Sequence, residues 1–321
     1  MKKLFLLICC SFLNYAHATQ DCRATSLYWA SDFNKFIQQD EFIVYYTDRP
    51  NSKNYIQNQT DLNNNHIPDY VENILIQAIA ARDAYTLARL RPPLESPRYK
   101  NKTGSIAIFV KDIPGNGVAF EEPSRFTNVA AGKMPCSLII YISNKFPVFP
   151  GNYFAVVSHE LFHLYQYSYA QFKNSWYLES LAKWAEQSLR LSPKIISNEN
   201  WLYPITEFEW ENQVFSKSYN NLFRYLFLKN KNDMLVFPES FTQRRYIDGS
   251  LVFKDKYWPG GKAIVRLLDD LQKQSNHISK LNHWDKYNWE EKNQRLVDWN
   301  AIIKSSILNN IKADDLQDHY P

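Results

Sequence analysis

Glycine is scarce in this chain. Eight residues in 321 exclude a collagen-like repeat or a Gly-rich linker architecture. No strong excess of one charge exists either: the formal net charge is +4, too small and too evenly spread to mark a nucleic-acid binder. Long apolar runs are missing beyond the first residues, so no segment is long enough to span a bilayer as a helix. What remains is 45% hydrophobic and 22% charged, the composition of a globular chain with one large core or two modest ones.

Residues 1–18 carry Lys2 and Lys3, an apolar stretch from Leu4 to Leu13, and Ala16-His17-Ala18. This is the pattern of a secretory signal peptide with its cleavage site. Its removal leaves about +2 on the processed chain, which is expected to be secreted or periplasmic. No Leu-small-small pattern precedes Cys22, so no lipid anchor is expected there. Of the four cysteines, Cys9 and Cys10 lie within the signal, leaving Cys22 and Cys136. In an oxidising compartment one disulfide is the simplest pairing, two buried free thiols the alternative. With no close cysteine pair, thiolate metal sites are excluded.

Apolar patterning predicts strands over 41–46, 105–110 and 137–142. Helical spacing over 69–90 ends at Pro92-Pro93. Further helices are expected over 152–169, 176–191, 222–228, 261–272 and 297–311. The fold class expected is α+β: a catalytic lobe over 19–192, then a mainly helical lobe over 193–321.

The segment 156–163 contains His159-Glu160-x-x-His163. Residues four apart share a helix face, so both imidazoles can point at one ion. Glu160 projects beside that face, where a general base reaches a water without ligating the metal. A shuffled chain of this composition contains the pattern on the order of once in a hundred, so context decides. The plain alternative is two histidines satisfied by ordinary hydrogen bonds on an amphipathic helix. Against it, Val156, Val157, Leu161, Phe162 and Leu164 bury the pair's surroundings. A catalytic zinc also needs a third protein ligand and an open position, and the next helix offers Glu179. Ala182 and Ala185 allow that helix to approach closely. Glu186, seven residues later on the same face, is placed to orient a ligand by hydrogen bond; otherwise it is a solvated surface carboxylate.

With Trp176-x-x-Glu179-Ser180-x-Ala182-x-Trp184-x-Glu186 following His159-Glu160-x-x-His163, the chain resembles the gluzincin metallopeptidases. That group takes zinc on two histidines and a downstream glutamate; Ser180 stands where it usually has Gly or Ala. Over residues 41–190 the order of elements is similar to that of a family of exported bacterial metallopeptidases: an early strand, an Asp-rich turn running into Pro68-Asp69-Tyr70-Val71-Glu72, a long helix, Pro-Pro, then strands before the zinc helix. The resemblance implies a zincin-like lobe and zinc-dependent hydrolysis of a protein or peptide. It also implies that Tyr257, in Tyr257-x-x-Gly260, approaches the reacting carbonyl as an oxyanion donor, with Tyr219 behind it.

A second ion is suggested by Asp61, Asn63, Asn65, Ile67 (through its carbonyl), Asp69 and Glu72. They fall at positions 1, 3, 5, 7, 9 and 12 of a calcium-type loop. His66 occupies position 6, where Gly usually supplies a positive φ. The alternative is an Asn-rich turn with Asp69 capping the helix.

The overall expectation is an exported zinc metallopeptidase. Its rival is a non-catalytic exported module in which metal only braces the fold. From chain order, 137–142 is taken as the sheet edge that binds extended substrate.

Overall fold

The computed structural model describes residues 22–24, 32–125, 136–191, 205–216, 222–228 and 233–311. Residues 1–18, expected to form a signal peptide, and Tyr219 lie outside them. The described strands are β1 (Arg23–Ala24), β2 (Lys35–Gln39), β3 (Phe42–Tyr46), β4 (Thr103–Lys111), β5 (Gly117–Arg125), β6 (Cys136–Ser143), β7 (Leu235–Val236) and β8 (Tyr257–Trp258). The helices are α1 (Asp69–Leu87), α2 (Val156–Tyr169), α3 (Ser175–Ala185), α4 (Glu207–Glu209), α5 (Leu222–Leu228), α6 (Glu239–Thr242), α7 (Ala263–Asn282), α8 (Glu291–Gln294) and α9 (Trp299–Asn310). The molecule is therefore α+β, and no described helix is long and apolar enough to cross a membrane.

Six strands form one mixed sheet in the order β1-β5-β6-β4-β3-β2. β3, β4 and β6 run parallel, as the connection through α1 requires, while β5 returns antiparallel to β6. The interior strands are nearly all apolar: FIVYY in β3 is wholly buried, as expected for strands covered on both faces. β2 (KFIQQ) is mostly exposed because it is an edge. The placement of β6 corrects the expectation from chain order. It is an interior strand, paired to β4 on one side and β5 on the other, so its backbone is already committed. Opposite the β2 edge, β5 is paired on its outer side, among the described residues, only to β1 at Ser124 and Arg125. Cys22 and Cys136 form a disulfide, with Cα atoms 6.0 Å apart.

α1 and α2 pack together on one face of the sheet. Asp69 and Glu72 in the first turn of α1 suit the positive end of its dipole, and Arg89 in the left-handed region follows its end. α2 begins without a local side-chain cap. Gln77 of α1, fully buried, does that work from a distance, accepting from the Val157 amide (3.0 Å) and donating to the Phe154 carbonyl (3.0 Å). An aromatic stack then joins the early and late parts of the chain. Trp184 lies on Trp258 with centroids 4.5 Å apart, beside Phe227 and Phe162. Described residues beyond 205 thus share one core cluster with the sheet and α1–α3.

Candidate metal centre

His159 and His163 sit one turn apart on α2, their ring centroids 4.8 Å from one another. The chain turns through 170–174 and lays α3 alongside. That turn is held from the C-terminal part of the chain: Asn174 donates to Asn300 (2.8 Å) and the Leu296 carbonyl (3.1 Å), and Trp176 donates to Asn300 (2.7 Å). Two side chains then fasten α2 to α3 beside the histidines. Ser158 donates to the Ala185 carbonyl (3.3 Å), next to His159 and Glu186. Gln166 donates to the Leu178 carbonyl (3.2 Å), next to Glu179.

The result is a convergent set of donors. His159 Nε2 lies 3.2 Å from Glu179 Oε2, and His163 Nε2 lies 3.6 Å from Glu179 Oε1. Ligands about 2.0–2.2 Å from a tetrahedral zinc are separated by about 3.3–3.6 Å, and these two spacings, each to a different Glu179 oxygen, lie close to that range. Potential ligand atoms of the three residues all lie within 4.8 Å of one another, the one such group among the described residues. Each histidine's other nitrogen is held: His159 Nδ1 by Glu186 Oε1 at 2.7 Å, His163 Nδ1 by Gln166 Oε1 at 2.8 Å. Those partners hold Nδ1–H on both rings, so Nε2 is the nitrogen that each histidine turns toward Glu179. His159, His163 and Glu179 can therefore hold a metal ion.

Electrostatics point the same way. Burial would lower the His159 pKa, but hydrogen bonds to Glu179 and Glu186 overcome it and raise it to about 10. Burial and the adjacent His159 charge push His163 down. Glu179 is held low, chiefly by its hydrogen bond to His159. Glu186 is resisted by its burial but drawn down by His159, Lys183 and Arg190. Lys183 and Arg190 balance Glu186, while Glu179 has His159 as its chief positive neighbour; a divalent cation between the imidazoles and Glu179 would be matched by that carboxylate. Access is one-sided: the side chain of His163 is 6% exposed, that of Glu179 44%.

Glu160 is not part of the donor group. It is buried, and burial pushes its carboxyl up to about 7 against the pull of His159. It lies directly under β5: a Cβ on Gly117 would sit 2.6 Å from Glu160 Cγ, so only glycine permits the approach. Four residues on from Gly117, Glu121 anchors the same strand. It accepts from Arg98 (2.9 Å), from Lys173 and from Gln294 (3.3 Å).

The Tyr257 side chain is half exposed, and its amide donates to Asp255 (2.9 Å); among the described hydrogen bonds and ring contacts none joins it to His159, Glu160, His163 or Glu179. The nearest phenol by ring contact is Tyr167, stacked on His163 with centroids 6.0 Å apart. Ser180 is buried and donates to the Trp176 carbonyl, so its hydroxyl costs no unpaired polar group. Gln166, Ser158, Gly117 and Glu121 were not singled out from sequence. Only Gln166 carried a signal, three residues after His163 and so on the same face.

In the loop 61–72, Asp61 accepts from the amides of Asn65 (3.1 Å) and His66 (2.8 Å). Asn65 donates to Glu72 (2.8 Å), as does Asn63 (3.1 Å). Asp69 turns back to the Leu62 amide (3.1 Å) and makes no cap to the helix. The Ile67 amide donates to Asn65. His66 takes φ 66°, the left-handed conformation for which Gly is usual. Comparison with known proteins finds no matching family model, curated protein or solved structure.

Proposed function

We propose that this chain is an exported zinc-dependent peptide hydrolase with a zincin-like catalytic half. The observation that carries the reading is Glu160. It lies outside the His159, His163 and Glu179 donor set, yet is buried beside it beneath β5. A purely structural site has no use for an extra buried carboxyl there, whereas hydrolysis requires a base.

When bound, Zn²⁺ supplies a Lewis acid that polarises a carbonyl and acidifies water. His159 and His163 present Nε2, held in that tautomer by Glu186 and Gln166, and Glu179 completes the set from the exposed side. Glu160 accepts a proton from the attacking water as its oxygen bonds to the carbonyl carbon. It then hands that proton to the amine as the C–N bond breaks. Raised by burial toward neutrality, its carboxyl is suited to both transfers. β5 replaces β6 as the edge for an extended peptide, since the outer side of Gly117–Phe120 lies above Glu160. Calcium is the ion we read for the loop 61–72, as a brace for the start of α1.

Glu160→Gln tests the reading. Zinc content should be retained while hydrolysis of denatured casein falls about 10²–10⁴-fold, the usual contribution of general acid–base catalysis. Unchanged hydrolysis would remove Glu160 from the chemistry.

A further inference from the structure

Among the described residues, the outer side of β5 is interrupted at one place. β1 pairs with it in parallel at Ser124 and Arg125, and the disulfide from Cys22, the residue before β1, crosses to Cys136 at the start of β6 on the far side of β5. Resting on the peptide-hydrolase reading above, we propose that this anchored strand is a stop at one end of the substrate cleft. It limits an extended peptide to about five residues on that side of the bond being cut.

The count follows from the register. The Ala119 amide donates to Glu160, the Glu121 carbonyl accepts from Tyr99 (2.7 Å), and Ser124 is the first β5 residue paired to another strand on its outer side. Five strand residues at about 3.3 Å each give about 17 Å, and the irregularity between Phe120 and Ser124 shortens the usable ladder further. A peptide chain pairing beyond that point would have to occupy the space of Arg23 and Ala24. A two-residue strand does not hold such a position alone, because its few backbone bonds roughly cancel against the entropy of ordering it. The disulfide changes that balance. It closes a sequence separation of 114 residues, so the unfolded chain loses closure entropy, and it fastens Cys22, one residue before β1, beside the start of β6. The stop is therefore conditional on an oxidised Cys22–Cys136 pair, as found in an exported protein.

The test uses the oxidised, zinc-loaded full chain and a peptide found to be cut in a denatured-casein digest. The peptide is lengthened one residue at a time, up to eight, on each side of the scissile bond. On one side kcat/KM should rise over the first four or five residues and then stay level. Two altered proteins keep the test independent of any one folding outcome: Cys22→Ser with Cys136→Ser, and Arg23→Pro with Ala24→Pro, which retains the disulfide while removing both β1 amides. In either, the eight-residue extension should exceed the five-residue one by about threefold, the worth of two further strand pairs. Binding of the same peptides to Glu160→Gln protein, read by fluorescence anisotropy, should level off at the same length without any turnover. A continued rise on both sides in the oxidised wild type overturns the proposal, as does a plateau that stays put in whichever altered protein melts cooperatively. Failure to cut any peptide when zinc is bound overturns the hydrolase reading itself, a result distinct from these.

Discussion

Gln166 offers the sharpest separation of a metal-positioning role from simple packing. Its side chain is 1% exposed, accepts from His163 Nδ1 at 2.8 Å and donates to the Leu178 carbonyl at 3.2 Å. One amide therefore orients a ligand on α2 and ties down the residue before the ligand on α3. Gln166→Met preserves volume and removes both bonds. The imidazole is then free to turn, and its buried N–H loses its acceptor. Loss of such an outer partner typically lowers metal affinity about 10–100-fold, equivalent to about 1.4–2.7 kcal/mol. The unpaired groups should also cost the metal-free fold about 1–3 kcal/mol. Gln166→Glu keeps the acceptor for His163 and loses the donor to Leu178, so it should recover most of the zinc affinity but not the stability. Competition for zinc against a chromophoric chelator measures the first quantity and thermal unfolding of metal-free protein the second. Equal zinc affinity in wild type and Gln166→Met would refute the argument, whatever the change in melting temperature.

Gly117→Ala places a methyl where Glu160 now lies; turnover should fall at least tenfold with zinc content unchanged, checked by casein hydrolysis and metal analysis. Glu121→Gln leaves Arg98 and Lys173 without their buried partner and should cost about 3 kcal/mol at neutral pH by urea unfolding. Burial would raise the Glu121 pKa, but Arg98 and Lys173 outweigh it and hold it low. Its contribution is therefore present above the unfolded value near 4.3 and lost as pH falls through the folded one. The gap between wild type and variant should accordingly narrow in acid. Calcium should raise the melting temperature of the wild type and leave Glu72→Gln unmoved; equal responses would exclude the loop 61–72 as its site.

The parts of the centre legible in sequence were those set by helix periodicity. His159 and His163 share a face because they are four apart, and Glu179 and Glu186 lie on the next helix once 170–174 turns the chain back. The parts that were not legible depend on pairing between distant segments. β5 (GVAFEEPSR) did not read as a strand because it holds a proline and two glutamates. Glu121 looks like a surface residue until Arg98, Lys173 and Gln294 close around it. Strand order is likewise silent in chain order, which is why β6 was mistaken for the edge. The start of α2 was expected at 152 rather than Val156 because its cap comes from Gln77, far off in α1. Tyr257 follows from a motif resemblance alone; its backbone sits in the short pairing of β7 with β8 and its side chain is half exposed.

Zinc stoichiometry by mass spectrometry of the purified, disulfide-bonded chain tests the central claim most directly. Wild type and Glu160→Gln should each hold about one equivalent after dialysis, and His159→Ala, His163→Ala and Glu179→Ala far less. A wild type that binds no zinc, or alanine variants that retain a full equivalent, would contradict a centre built from two imidazoles and a carboxylate.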